Sequence, residues 1–171
     1  MKPELTQARL KELLRYDPET GHFTWIKSTS NRAPVGNRAG AWGADGYLRI
    51  SVDCSDYLAH RLAFLYVTGK FPSEDADHIN RVPGDNRWAN LRPASRAQNA
   101  ANKGLQTNNT SGFRGVTWHA LSGKWTAAVK KNRKKIYLGL FDHIEDAARA
   151  AQQCREEVFG IFAGHEKADP R

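Results

Sequence analysis

The polar run "GLQTNNTSG" (104–112) has no apolar periodicity, and the hydrophobic pattern changes across it. Downstream, three short runs alternate apolar with polar residues: "FRGVTWH" (113–119), "KWTAAVK" (124–130) and "KIYLGLF" (135–141), broken by "ALSG" and "KNRK". Period-2 runs with short polar breaks predict three antiparallel strands. Asp142 with Glu145 then predicts a capping box opening a helix over 144–159, with Ala147, Ala151, Cys154 and Val158 as its inward stripe. Small residues on that stripe allow the helix to lie close against the sheet. The expected second domain, 113–164, is thus a three-stranded antiparallel sheet packed on one helix.

Upstream of the break, helices and strands mix. Thr6 predicts an N-cap, with Leu5 and Leu10 as a hydrophobic staple, and that helix is expected to run to the "DPETG" turn (17–21). "HFTWIK" (22–27) and "YLRISV" (47–52) predict strands around a loop over 28–40. "DCSD" (53–56) predicts a turn into a helix over 57–69, closed by Gly69. Residues 70–93 read as a loop-rich segment anchored by Phe71, Ile79, Trp88 and Leu91, followed by a helix over 96–103 that a Ser95–Gln98 capping box begins and Gly104 ends. The expected class is α+β, with a first domain over 1–103 and a linker over 104–112.

Charge divides along the same boundary. Residues 1–103 carry 15 basic and 11 acidic groups, residues 104–141 carry 7 basic and none acidic, and residues 142–171 carry 4 basic and 7 acidic. A stretch without one carboxylate predicts a face for a polyanion. Two cysteines a hundred residues apart, with no CxxC spacing, argue against a zinc knuckle or a disulfide framework and suit a reducing cytoplasm. No apolar run is long enough to span a bilayer, and the N-terminus lacks a signal h-region, so a cytoplasmic protein is expected.

The segment 75–103 holds Asp77, His78 and five asparagines. Phosphodiester hydrolysis needs a base to activate water and a cation to stabilise the leaving oxygen. His78 has the chemistry of a base near neutral pH. Magnesium takes hard oxygens and keeps most of its waters, so the Asp77 carboxylate and the Asn99 amide oxygen suffice as protein ligands. Asn102, three residues from Asn99, is expected to face solvent, and His22, His143 and His165 have no partners at informative spacing.

The ordered run "AHRLAF…DHIN…DNRWANLR…QNAANK" resembles the HNH endonucleases, most closely the phage and intron-associated homing type. The resemblance covers about residues 1–103, including "LLRYDPETGHFTW" and "GYLRI". It rests on spacing, with Asn90 twelve positions after His78 and Asn99 nine further on. It implies a ββα-metal hairpin and helix with His78 as general base and Asp77 and Asn99 as ligands of Mg²⁺ or another divalent cation such as Mn²⁺. Asn90 would brace the loop backbone near His78. His60, in "HRL", is expected to give structural support, with its ring satisfied beside its helix.

Residues 111–160 resemble the plant ethylene-response-factor (Apetala-type) DNA-binding domain through "FRGV", "GKW", "YLGLF" and "EDAARAA". The implied contacts fall on Arg114, Thr117, His119, Lys124, Lys130, Lys135 and Tyr137. All but Arg114 lie on the face that alternation leaves polar, together with Thr126; Val116, Trp118, Trp125, Ala127 and Val129 lie on the core face. The plant modules carry arginines where this chain has Thr117 and His119, and an acid where it has Ala128. Arginine to guanine is the commonest strong base contact, so backbone and groove binding is expected without the plant target sequence. The expected function is metal-dependent endonucleolytic cleavage of double-stranded DNA, by a monomer that nicks or by two cooperating chains, with no small-molecule cofactor. A DNA-binding regulator with an inactive nuclease scaffold is the alternative, and an RNA-binding module is weaker because only Tyr137 offers an exposed stacking ring.

Overall fold

The computed structural model describes residues 4–164 apart from 29, 31, 32, 107 and 133. Parts of the expected 28–40 loop and 104–112 linker, Arg133 and His165 therefore lie outside the described residues. The chain divides into two compact units, Met1–Ala94 and Ser95–Arg171.

In the first unit, α1 (Gln7–Leu13) starts at Thr6, whose hydroxyl accepts from the Arg9 amide at 3.2 Å. The helix ends sooner than its leucines predict. Leu14 is already extended and opens β1 (Leu14–Asp17), which pairs antiparallel with β2 (His22–Trp25). Here Leu14 and Tyr16 alternate inward opposite Trp25 and Phe23, and the Tyr16 and Phe23 rings lie 4.7 Å apart. Cross-strand packing outweighs the local helical spacing of Leu10, Leu13 and Leu14.

A second, three-stranded sheet joins β3 (Ala41–Trp42), β4 (Leu48–Val52) and β5 (Ser55–Leu58) in chain order. The predicted turn-to-helix at 53–57 is instead a two-residue hairpin. Asp53 and Cys54 both take positive φ (48° and 60°), the backbone that a tight turn between right-twisted strands needs. Tyr57 therefore sits in a strand, and α2 (Ala59–Thr68) begins two residues later than expected, closing at the left-handed Gly69. Leu62, Ala63 and Leu65 of α2 are buried with Leu10, Leu13, Phe23 and Ile50 in the unit's core.

The loop-rich segment contains an antiparallel pair that periodicity does not show: β6 (Asp75–His78) and β7 (Leu91–Ala94), with Asp77 opposite Arg92 and His78 opposite Leu91. Acid, imidazole and proline residues occupy positions where a strand is ordinarily apolar, so the pattern conceals it.

The second unit begins with α3 (Arg96–Asn102), whose Ser95–Gln98 capping box forms in both directions. Asn102 is buried, contrary to its expected exposure. Part of the expected linker is ordered by its own side chains. The Ser111 hydroxyl donates to the Val116 carbonyl at 2.8 Å, and Asn109 Nδ2 donates to the Phe113 carbonyl at 3.0 Å. The first strand of the sheet, β8 (Val116–His119), consequently starts three residues later than the alternation predicts.

β9 (Lys124–Lys131) is central, between β8 and β10 (Lys134–Phe141). A bulge between Tyr137 and Gly139 shifts the alternation of β10. The last helix, α4 (Ile144–Phe159), packs on this sheet through Ala147, Ala148 and Ala151, with Arg155 also buried; Cys154 and Val158 of the predicted stripe are only half-buried. The predicted Asp142 cap does not form, because His143 is the N-cap residue and Asp142 pairs with Lys124 at 3.0 Å. Among the described residues no helix is long and apolar enough to cross a membrane.

Gly115 shows how tightly this unit closes. Its φ is +76°, and a Cβ there would stand 2.3 Å from the Ala128 carbonyl oxygen. Gly115→Ala is expected to destabilise the protein by about 2 kcal/mol or more. Gly104→Ala, which meets open space, should leave stability unchanged. Equilibrium urea unfolding of the two variants checks this.

Candidate active site

β6 delivers Asp77 and His78 as consecutive residues, and both are buried, at 4% and 5% exposure. Successive strand residues ordinarily face opposite ways, and His78 is where this strand ends. The Asp77 carboxylate meets Arg92 across the hairpin, with Nε and Nη2 both reaching Oδ2, at 2.8 and 2.7 Å. His78 Nε2 lies 3.1 Å from Asn86 Oδ1. The Asn86 amide nitrogen faces the Gly84 carbonyl at 3.5 Å, which can only accept, so its oxygen is the atom turned to His78. In that amide orientation Nε2 is the ring nitrogen that donates to Asn86.

Burial holds the His78 imidazole below its usual pKa, against the opposing Asn86 bond and the Asp77 and Asp85 charges. The ring is neutral near pH 7, the form a general base requires.

Two further rings wall this histidine. His60 lies edge-on at 4.9 Å, and Tyr47 stands 5.4 Å from His60 and 6.0 Å from His78, between ring centres. His60 itself is 5% exposed, and burial first, with the His78 and Arg61 charges adding, brings its pKa down to about 3.

The loop 79–90 is closed by asparagines. Asn90 Oδ1 accepts from the Asn80 amide at 3.0 Å, and its Nδ2 donates to Asn80 Oδ1 at 3.0 Å and to the Asp85 carbonyl at 2.8 Å. Asp85 is held down to about 2, chiefly by Arg87. The far side of the loop rests on the N-terminal hairpin. Tyr16 Oη donates to the Asn86 carbonyl at 2.7 Å, and the Trp88 amide donates to the Pro18 carbonyl at 2.9 Å. Gly21 lies so close that a Cβ would meet the Asn86 carbonyl carbon at 2.4 Å.

Asp77, His78, Asn90 and His60 belong to the first unit and Asn99 to the second, half-buried one turn into α3. Sequence reasoning missed Asn86, Arg92 and Tyr47. Arg92 had a readable signal, since pairing 75–78 with 91–94 sets it opposite Asp77. Among the described residues no three His, Cys, Asp or Glu side chains are grouped to hold a metal. The acid present, one buried carboxylate already paired with Arg92, fits a cation that keeps most of its waters and takes few protein oxygens.

In the second unit Thr117, His119, Lys130, Lys135 and Tyr137 are exposed, while Lys124 is half-buried on Asp142. Lys130 stands directly opposite Lys135, whereas Lys131, opposite Lys134, turns its amine to the Val158 carbonyl of α4 at 3.3 Å. Like charges in register repel, and a polyanion relieves that. Arg114 is engaged elsewhere. Its guanidinium donates to the carbonyls of Ala101 (2.7 Å), Lys103 and Ala100 (3.5 Å), a cation at the C-terminal end of α3. Trp118 is 53% exposed rather than core, and packs edge-on to Trp125 at 5.0 Å; Thr126, expected on the open face, is buried.

The HNH endonuclease family matches residues 57–101, and the AP2 domain matches residues 111–161. This chain carries an HNH endonuclease domain followed by an AP2 domain. A protein of Acanthamoeba polyphaga mimivirus named as an uncharacterized HNH endonuclease is 33% identical over 129 residues, which make up 74% of this chain and 66% of that protein. The chain thus spans just under two thirds of that relative's length. No solved structure matches. The HNH match runs past Ala94 into α3, so the matched segment includes Asn99 as well as Asp77, His78 and Asn90.

The buried His60 beside the HNH hairpin has a consequence for acid stability. Its pKa falls from 6.5 in the unfolded chain to about 3 when folded. Below pH 6.5 the unfolded chain binds a proton that the folded state refuses, so stability is full above pH 6.5 and falls towards pH 3. His60→Phe should flatten the loss of thermal stability between pH 7 and pH 4. An unchanged slope would show that His60 does not titrate this way.

Proposed function

We propose that this protein is a divalent-metal-dependent endonuclease that hydrolyses phosphodiester bonds in duplex DNA. The observation that carries the reading is a buried Asp77–His78 pair in which the imidazole is neutral and turned by Asn86. His78 Nδ1 takes a proton from the attacking water, and the Nε2–H···Oδ1 bond to Asn86 stabilises the imidazolium that forms. Asn90 holds loop 79–90 so that this geometry does not drift when substrate binds. Asp77 and Asn99 would hold the cation, whose chemistry is to neutralise charge on the scissile phosphate and the leaving 3′ oxygen. The products carry 5′-phosphate and 3′-hydroxyl ends. Residues 1–103 form the functional nuclease, with α3 contributing Asn99, and the linker ends before 113.

The AP2 domain anchors the enzyme on duplex through Thr117, His119, Lys124, Lys130, Lys135 and Tyr137. An in-register lysine pair, Lys130 with Lys135, on an acid-free sheet supports this, and each phosphate that lysines neutralise releases a counterion. Arg114 orders α3 against the sheet-bearing segment instead of contacting phosphate. One observation favours the inactive-scaffold reading: Arg92 already compensates the charge of Asp77.

Incubation with supercoiled plasmid separates the two. The nuclease should yield open-circular or linear DNA with Mg²⁺ or Mn²⁺ and none after chelation. His78→Ala should cut about 10²–10⁴-fold more slowly with duplex affinity unchanged. Binding without cleavage under every divalent metal would establish the scaffold reading.

A further inference from the structure

Among the described residues of the first unit, Arg92 and Asp77 form the ion pair in which both side chains are least exposed. The Arg9–Asp53 and Arg49–Asp45 pairs have both partners 39–49% exposed, where water screens them. Arg92 and Asp77 are 11% and 5% exposed, and the register of β6 on β7 fixes them opposite one another. A buried ion pair is seldom worth its desolvation in stability, so its retention asks for another reason. The guanidinium sends two donors to one oxygen, Oδ2, of the carboxylate that the proposed function gives to the cation.

We propose that Arg92 is a counter-charge that DNA must draw away before the cation can load. With no DNA bound, the fixed positive charge beside Oδ2 repels an incoming divalent cation in a poorly screened environment. A DNA phosphodiester offers the guanidinium fork an anion of matching geometry. When Arg92 turns to that phosphate, Asp77 becomes available and its charge needs a new partner, which the cation supplies. Cation and DNA affinities are therefore positively coupled, each raising the other by the same factor. Arg92 acts as a positioning residue whose two alternative partners are Asp77 and substrate phosphate. The inference rests on Asp77 as a cation ligand.

The test is Mn²⁺ affinity of the full chain, from the electron paramagnetic resonance signal of unbound Mn²⁺. It is measured alone and with a phosphorothioate duplex, after subtracting what the duplex binds by itself. For the wild type we expect weak binding that tightens about tenfold with duplex. Arg92→Gln should bind Mn²⁺ about tenfold tighter without duplex and gain little from it. Arg92→Lys keeps the charge and should remain weak without duplex.

If Arg92→Gln binds no better than the wild type while Asp77→Asn abolishes binding, the counter-charge role is wrong and the ligand assignment stands. If Asp77→Asn retains full Mn²⁺ affinity, the ligand assignment itself fails. Should Arg92→Gln not fold, the wild type still decides, because an affinity unchanged by duplex overturns the coupling.

Discussion

Everything in the candidate site hangs on how loop 79–90 is held between β6 and β7. The loop has little ladder of its own, so side-chain amides close it. Asn90 ties Asn80 to Asp85, and Asn86 reaches His78. An asparagine amide carries a donor and an acceptor on one rigid plane, which lets one residue satisfy two strands of a loop at once. That explains why a segment rich in poor strand and helix formers is nonetheless ordered. Its polarity serves the loop's internal bonding, and only secondarily solvent.

The N-terminal hairpin has a clear role in this scheme. The β1–β2 turn carries Gly21 against the Asn86 backbone, and Tyr16 binds the same carbonyl from below. A stretch far from the chemistry in sequence thereby orients the residue that orients His78. Burial does the rest. It keeps His78 and His60 neutral and leaves Asp77 needing a positive partner, whether guanidinium or metal. Stability and reactivity draw on the same desolvation.

Much of this was legible in the residues. Capping chemistry located α1 and α3, and alternation located β9 and most of β10, because both signals are local. What stayed hidden was set by tertiary pairing. Tyr16 and Leu14 read as helical until Phe23 and Trp25 pair with them, and β6 reads as loop because its residues serve a site. The β8 start depends on side-chain bonds from Asn109 and Ser111, which no periodicity encodes. Arg114 shows a related limit. Resemblance assigned it to DNA, while geometry gives it the carbonyls at the end of α3.

The proposed function stands on whether Asp77 and Asn99 share one cation beside His78. Paramagnetic line broadening in the full chain bound to a phosphorothioate duplex measures this directly, with Mn²⁺ added at a small fraction of the protein concentration. The account predicts that the His78 imidazole and the Asn99 side-chain amide broaden first and together, and that Asp77→Asn removes both effects. Broadening that leaves Asn99 sharp, or that begins elsewhere in the protein, would contradict it.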